Sequence, residues 1–209
     1  TRDRLVVLRE SATRAGARLV PTEPNPVDVV WADQPAAPIA PVEIHPVLYA
    51  GRESREKRDE AVASLVRKGA SSLISSAPDS INWLLNIRGG ETPNTPLALG
   101  FAALCVDGSV DLFMDHRKFT APTHAHLGVS VTIRPPDELA SYLDALGDSG
   151  ETVLAPSGTT PAWIVERLSQ AGAELMSGED PCVMPKSCKN SVEVQGMRNA
   201  HIRDGAALC

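Results

Sequence analysis

Between residues 21 and 46 the chain carries seven prolines: Pro21, Pro24, Pro26, Pro35, Pro38, Pro41 and Pro46. Each one removes a backbone N–H and fixes φ, so a segment this rich in proline has no room for a helix. It is expected to form an extended, semi-rigid strap. The strap divides the chain into a short leading part and a long trailing part. Val27, Val29, Val30 and Trp31 are apolar within it, so part of the strap is expected to dock on a surface.

Ahead of the strap, Leu5, Leu8, Ala12 and Ala15 recur at three- and four-residue steps and share one face of a helix. Gly16 closes that pattern as a C′ glycine does. Ala17-Arg18-Leu19-Val20 then reads as a short strand. One helix and one strand cannot enclose a core, so this part is expected to be the tail of a domain.

Residues 51 to about 180 alternate helix and strand signals. SREKRDEAVASLVRKG is an amphipathic helix with Ala61, Val62, Leu65 and Val66 inward and Gly69 at its end. SSLIS follows as a strand, and PDSINWLLN as a helix with Pro78 in its first turn. FAALCV-DG-SVDLFM is the clearest local signal. Two apolar runs flank Asp107-Gly108, which predicts a hairpin turn with positive φ at both central residues. VSVTIR, TVLAP and AELMS are further strands. Leu139, Leu143 and Leu146 mark one helix, and Ile164, Val165 and Leu168 another, capped by Thr160-Pro161. A hairpin among alternating units implies an α/β fold with a mixed central sheet flanked by helices. Asn190 and Glu193 form a capping-box start for a final helix to about residue 208. Its apolar positions Val194, Met197 and Leu208 are expected to lack a partner and to favour association.

The net charge of −6 sets an acidic surface against phosphate backbones, so nucleic acid is not an expected partner. No stretch approaches the ~20 apolar residues of a membrane helix, and the charged start TRDRLVVLRE lacks the apolar region of a signal peptide. Cys105, Cys182, Cys188 and Cys209 fit neither a zinc pattern nor a disulfide scaffold and are expected as free thiols, with Cys105 in the core. A bridge between Cys182 and Cys188, in a loop, is the lesser alternative.

No converging set of carboxylates and histidines stands out for a metal. His124 and His126 would share a strand face, but a solvated loop is the simpler reading. His45 and His116 read as solvated surface, and His201 as lining a packing face of the last helix. Asp107, Asp111 and Asp115 flank a hairpin rather than a calcium loop. Neither a nucleophile elbow nor a phosphate-cradling glycine loop is present. The unusual segment is NIRGGETPNTPLALG, residues 86–100: long, glycine- and proline-punctuated, with one arginine. Long loops of this kind often carry function. Arg88 is placed either to pair with a carboxylate of a substrate or another domain, or to fix the loop itself.

Several motifs, in order, resemble the three-domain cytosolic aminopeptidases P. They are W-A-D-x-P-x-x-P at 31–38, H-P at 45–46 with Y-A-G at 49–51, and S-I-N-W-L-L-N-I-R-G at 80–89 with T-P at 95–96. V-D-L-F at 110–113, P-C-V-M-P-K-S-C-K-N at 181–190 and M-R-N-A-H-I-R-D-G-A-A-L at 197–208 continue the series. The resemblance covers nearly the whole chain. It implies Xaa-Pro aminopeptidase activity in the parent protein, a metallopeptidase that removes the first residue of peptides whose second residue is proline. It implies two creatinase-like amino-terminal domains, a pita-bread catalytic domain with two divalent metals, manganese in most members, a homodimeric parent and a cytoplasmic location. By the same resemblance, residues 1–30 are the tail of the first creatinase-like domain and 31–50 a proline-rich linker. Residues 51–185 are the second such domain, and 186–209 the first helix of the catalytic domain. No catalytic residue, metal ligand or cofactor is then expected within the chain. It would be a non-catalytic fragment framing the active-site mouth, with Arg88 and Asn94 as mouth or interdomain candidates. Family members often carry a histidine before this Thr-Pro pair, where Asn94 stands here. A stand-alone binding module or a pseudoenzyme is the alternative.

Overall fold

Central strands buried on both faces build the sheet. The computed structural model describes residues 1–22 and 24–209. Helix α1 (Arg2–Arg14) leads, and the short helix α2 (Pro26–Val30) lies within the strap. Strand β1 (Glu43–Ile44), helix α3 (Val47–Ala50) and helix α4 (Ser54–Lys68) follow. Next come strand β2 (Ser72–Ser75), helix α5 (Pro78–Leu85) and strand β3 (Ile87–Arg88), then the hairpin strands β4 (Phe101–Cys105) and β5 (Val110–Phe113). Helix α6 (Ala121–Leu127), strand β6 (Val131–Arg134), helix α7 (Leu139–Asp148) and strand β7 (Thr152–Leu154) continue the chain. Helix α8 (Ala162–Ala171), strand β8 (Glu174–Met176), helix α9 (Val183–Ser187) and helix α10 (Ser191–Leu208) complete it.

The larger sheet has six strands in the order β6-β5-β4-β2-β7-β8. β4 pairs antiparallel with β5 and β2, whereas β5–β6, β2–β7 and β7–β8 are parallel. The sheet is therefore mixed, with helices on both faces. Leu73, Leu104, Leu112 and Leu154 point to one face and pack with Leu65 of α4 and Ile81 and Leu85 of α5. Their neighbours Ile74, Ala103, Phe113 and Val153 point to the other face and meet Leu143 of α7 and Ile164 and Leu168 of α8. The period of two divides the apolar residues between two cores. Each fully buried leucine contributes ~1.5–3 kcal/mol of apolar transfer. A second, two-stranded sheet pairs β1 antiparallel with β3, Ile44 opposite Ile87.

Several local expectations are corrected. Ala17–Val20 form no strand among the described residues, and Leu19 and Val20 are exposed. The strap does admit helix: Asn25 Oδ1 accepts from Val27 N at 3.1 Å and Pro26 occupies the first turn, where a missing N–H costs nothing. α3 starts after Pro46, which stands at its N-cap with no side-chain capping bond. Val27, Val29, Val30 and Trp31 are all exposed; the docked residue is Val42, whose N–H donates to Lys118 O at 2.7 Å. On α4 Ala61, Leu65 and the half-buried Val62 face the core as expected and Lys57 joins them, while Val66 is exposed.

The hairpin turn needs positive φ only at Gly108, at 83°, and not at Asp107. Gly108 N donates to Cys105 O at 2.9 Å and Cys105 N to Ser109 O at 3.0 Å, so a three-residue loop with a left-handed glycine replaces the two-residue turn. Asp107 Oδ1 instead accepts from Ser109 N at 2.9 Å. Thr160 makes no capping bond: its hydroxyl is buried without a partner among the described residues. His124 and His126 lie in α6, where a two-residue step separates their faces. His126 Nε2 is 3.0 Å from Leu85 O, and the His124 ring lies 5.8 Å from that of Phe119. The Cys182–Cys188 stretch holds α9 rather than a loop, and all four cysteines are free. Cys182 is buried, Cys188 exposed, and Cys105 half-buried at the core's edge.

α10 starts as expected: Asn190 Oδ1 accepts from Val192 N and Glu193 N, both at 3.0 Å, and Glu193 Oε2 accepts from Asn190 N at 2.9 Å. No described residue of α10 is buried. His201 is exposed and bonds back to Met197 O at 2.8 Å rather than lining a packing face.

Candidate functional site

The 86–100 segment is held by residues other than its arginine. Asn82, buried on α5, grips it from below: its Oδ1 accepts from Ala98 N at 3.0 Å and its Nδ2 donates to Ala98 O at 2.8 Å. Glu91 holds it from within. Its Oε1 accepts from Ala40 N at 3.2 Å, and its Oε2 accepts from Leu99 N at 2.7 Å and from Lys118 Nζ at 2.8 Å. The Glu91 side chain is 0% exposed and that of Lys118 7%, so this is a buried ion pair, with Lys118 Nζ also donating to Leu99 O at 2.9 Å. It also ties the strap, through Ala40, to the loop.

Arg88 is thereby free of structural duty in the loop. It is exposed, and among the described residues it makes no ion pair. Its Nε donates to His45 Nδ1 at 3.0 Å, which requires a lone pair on that nitrogen. Burial pushes the His45 pKa down, and the neighbouring Arg88 and Lys57 charges push the same way. His45 is thus half-buried and paired rather than solvated, its ring stacked near Tyr49. Asn94 sits elsewhere: it is exposed, with φ 59°, in the turn between the bridged Thr92 and Thr95. The structure does not bring Arg88 and Asn94 into one pocket lining.

Beneath Arg88 lies Lys57, 2% exposed and without a carboxylate partner among the described residues. Its ammonium donates to Asn86 Oδ1 at 2.6 Å and Trp83 O at 3.0 Å, and stands 4.5 Å from the Trp83 ring centroid. Burial lowers its pKa from 10.5 to about 8, against the opposing pull of Glu193. Asn86 ends α5 in the left-handed region, φ 53°, which asparagine tolerates. It also donates to Arg52 O at 2.8 Å and accepts from His45 N at 2.8 Å, joining α4, α5 and β1. The sequence reading missed Lys57 and Asn86. The signal for Lys57 was available: it stands at helical spacing with the inward Ala61 and Leu65.

α10 forms the opposite wall. Asn190 Nδ2 donates to Ala50 O at 2.9 Å, and Gly51, with φ 70°, leaves the space that a Cβ would take from the Asn190 side chain. Between α3 and α10 runs a groove of about 960 Å³. Leu48, Tyr49, Val192 and Met197 line it with apolar surface, and His45, Arg88, Lys189 and Glu193 gather at its polar end. These last four also border a smaller cavity of about 260 Å³ that reaches down to Lys57 and Trp83. An apolar groove ending in a few converging polar groups is the arrangement of a ligand site.

The described residues do not fit a metal centre: no three His, Cys, Asp or Glu side chains converge so as to hold an ion. No described helix is long and apolar enough to cross a membrane.

A mixed sheet covered on both faces, with a groove between its appended helices, defines an α/β domain. Residues 33–193 match the creatinase/prolidase N-terminal domain, and the chain belongs to that family. It is 36% identical to a probable Xaa-Pro aminopeptidase P of Aspergillus niger, over 96% of this chain and 34% of that protein. A probable Xaa-Pro aminopeptidase P of Talaromyces marneffei is 33% identical over 96% of this chain and 32% of its own length. The chain therefore spans about a third of the curated relatives it matches. All of it superposes on 34% of the X-prolyl aminopeptidase of Caenorhabditis elegans, described as a cytosolic enzyme with a di-nuclear active site, with a TM-score of 0.88 and 28% identity. The prolidase of Pyrococcus horikoshii, at 14% identity and a TM-score of 0.51, shares the fold.

Proposed function

We propose that this chain is the amino-terminal and middle region of an Xaa-Pro aminopeptidase, and that it binds and positions peptide without carrying the hydrolytic step. In this reading residues 1–30 end a first creatinase-like domain, 31–50 link, 51–185 form the second, and 186–209 open the catalytic domain. The parent is a soluble, cytoplasmic, homodimeric hydrolase. Its two divalent metals, manganese by the family resemblance, are held by residues outside this chain. The observation that carries the reading is the superposition of the entire chain on a third of an X-prolyl aminopeptidase.

Within that frame the α3–α10 groove is part of the active-site mouth. Its apolar wall suits a proline-containing backbone, and Arg88 supplies a charge at one end. The arginine is available because Glu91 and Asn82, not Arg88, hold the loop. Asn94, at the loop's tip, is a second contact point for substrate or a neighbouring domain.

Incubating the purified 209-residue chain with an Xaa-Pro tripeptide, with and without manganese, tests the division of labour. No release of the first residue is expected in either condition. Release that scales with chain concentration would overturn it.

A further inference from the structure

Charges around the smaller cavity do not balance. Lys57, Arg88 and Lys189 border it, against Asp79 and Glu193. Asp79 is engaged by Lys186; burial pushes its carboxyl pKa up, but that hydrogen bond and charge outweigh burial and hold it low. Glu193 remains, one oxygen committed to Asn190 N at 2.9 Å. Three cations thus face one carboxylate, Glu193, which favours the Lys57 ammonium at a distance but makes no ion pair with a lysine or arginine among the described residues. His45, neutral beside Arg88, adds no compensating negative charge.

The cations also keep donors in hand. Lys57 uses two of its three ammonium hydrogens, on Asn86 and Trp83. Arg88 makes no carboxylate fork among the described residues and uses its Nε on His45. A buried ammonium with no carboxylate in direct contact is costly unless a partner arrives. It costs the folded protein stability while the cavity is empty and favours an anion entering it.

The shape selects among anions. Trp83, Ile87, Pro96 and Leu97 give the cavity apolar sides, so the anion is carried on an organic body. A planar guanidinium at the rim matches a planar carboxylate in two parallel bonds. Glu193 disfavours the double charge of a phosphate. We infer that the cavity beneath Arg88 is a carboxylate-binding pocket, with Arg88 at the rim and Lys57 at the floor. The inference deepens, and rests on, the reading of the groove as a peptide site. The carboxylate comes either from a peptide's own C-terminus or from an acidic side chain on it.

Nuclear magnetic resonance on the 209-residue chain tests the pocket with sodium acetate against sodium chloride at equal ionic strength. Acetate is expected to move the Arg88 and Trp83 side-chain signals saturably. Arg88→Gln, an exposed change that leaves the fold intact, is expected to weaken acetate about ten-fold, and Lys57→Met to do the same. No acetate-specific shift, or inorganic phosphate binding more tightly than acetate, overturns the inference. Three peptides then identify the source: an Xaa-Pro-Xaa acid, its amide, and an Xaa-Pro-Glu amide. A free acid about ten-fold tighter than its amide assigns the C-terminus. Recovery of that affinity by the glutamyl amide assigns a side chain. Acetate binding with no affinity for any of the peptides upholds the carboxylate pocket and sinks the peptide reading of the groove.

Discussion

Helix α5 has 8 residues and buries five of them, whereas α10 has 18 and none of its described residues is buried. α5 is held by packing: Ile81 and Leu85 enter the core beneath the sheet, and Asn82 grips the following loop. α10 is held at one end, by the Asn190 cap and its bond to Ala50. Length and capping therefore say little about how firmly a helix belongs to its fold; the apolar face and what meets it decide. The groove lies where the two modes of attachment meet, with a rigid floor from α5 and a loosely held wall from α10.

The contrast can be broken most severely at Glu91. Glu91→Ala would strand the buried Lys118 ammonium and release the loop from the floor, costing ~3–5 kcal/mol in chemical denaturation. A loss below ~1 kcal/mol would mean that water reaches the pair and the floor is not rigid. Leu85→Ala, in the packed helix, is expected to cost ~2–5 kcal/mol by cavity formation.

The pH dependence of Lys57 sharpens the picture of the floor. Its pKa is about 8 in the folded chain against 10.5 for the ordinary group. Between those values the unfolded chain binds more protons than the folded one, so this group makes stability rise with pH. Below about 8 its destabilisation is present in full. Arg52 and Lys189 act with burial to lower the value, and Glu193 opposes them. Unfolding measured across this window should show the rise in the parent chain and a flatter profile in Lys57→Met. Identical profiles would show that Lys57 is solvated.

Smaller effects are expected on the other wall. Asn190→Ala removes the cap and the tie to Ala50, at a cost of ~1 kcal/mol. Ile202→Ala, on the exposed face of α10, is expected to change stability by less than ~0.5 kcal/mol. If Ile202→Ala matched Leu85→Ala, α10 would be packed in solution and the contrast would fail.

What the sequence made legible follows the same line. The six strands of the larger sheet, the division of their residues between two cores, α4, α5, α7 and α8, and the Asn190–Glu193 box are local signals that survive folding, whereas β1 and β3 carry too few residues to show one. The helix at Pro26–Val30 is hidden by the proline count of the strap and explained by proline position: Pro26 sits where its missing N–H is harmless. The hairpin loop differed by one residue because Asp107-Gly108 suits more than one turn type. The site was read as one arginine in an unusual loop. Its partners come from α3, α4, α5 and α10, and no spacing in the chain reveals that Lys57, His45 and Glu193 border one cavity with Arg88. Glu91 was invisible for the same reason, since its partner Lys118 lies beyond the hairpin.

In the proposed reading, peptide meets this chain between α3 and α10. Hydrogen exchange of the 209-residue chain, with and without saturating Xaa-Pro-Xaa tripeptide, tests it most directly. Slower exchange is predicted for the segments containing His45 to Tyr49, Arg88, and Lys189 to Ala200, with α7 and α8 unchanged. Protection concentrated on α7 and α8, or no protection anywhere, would contradict it.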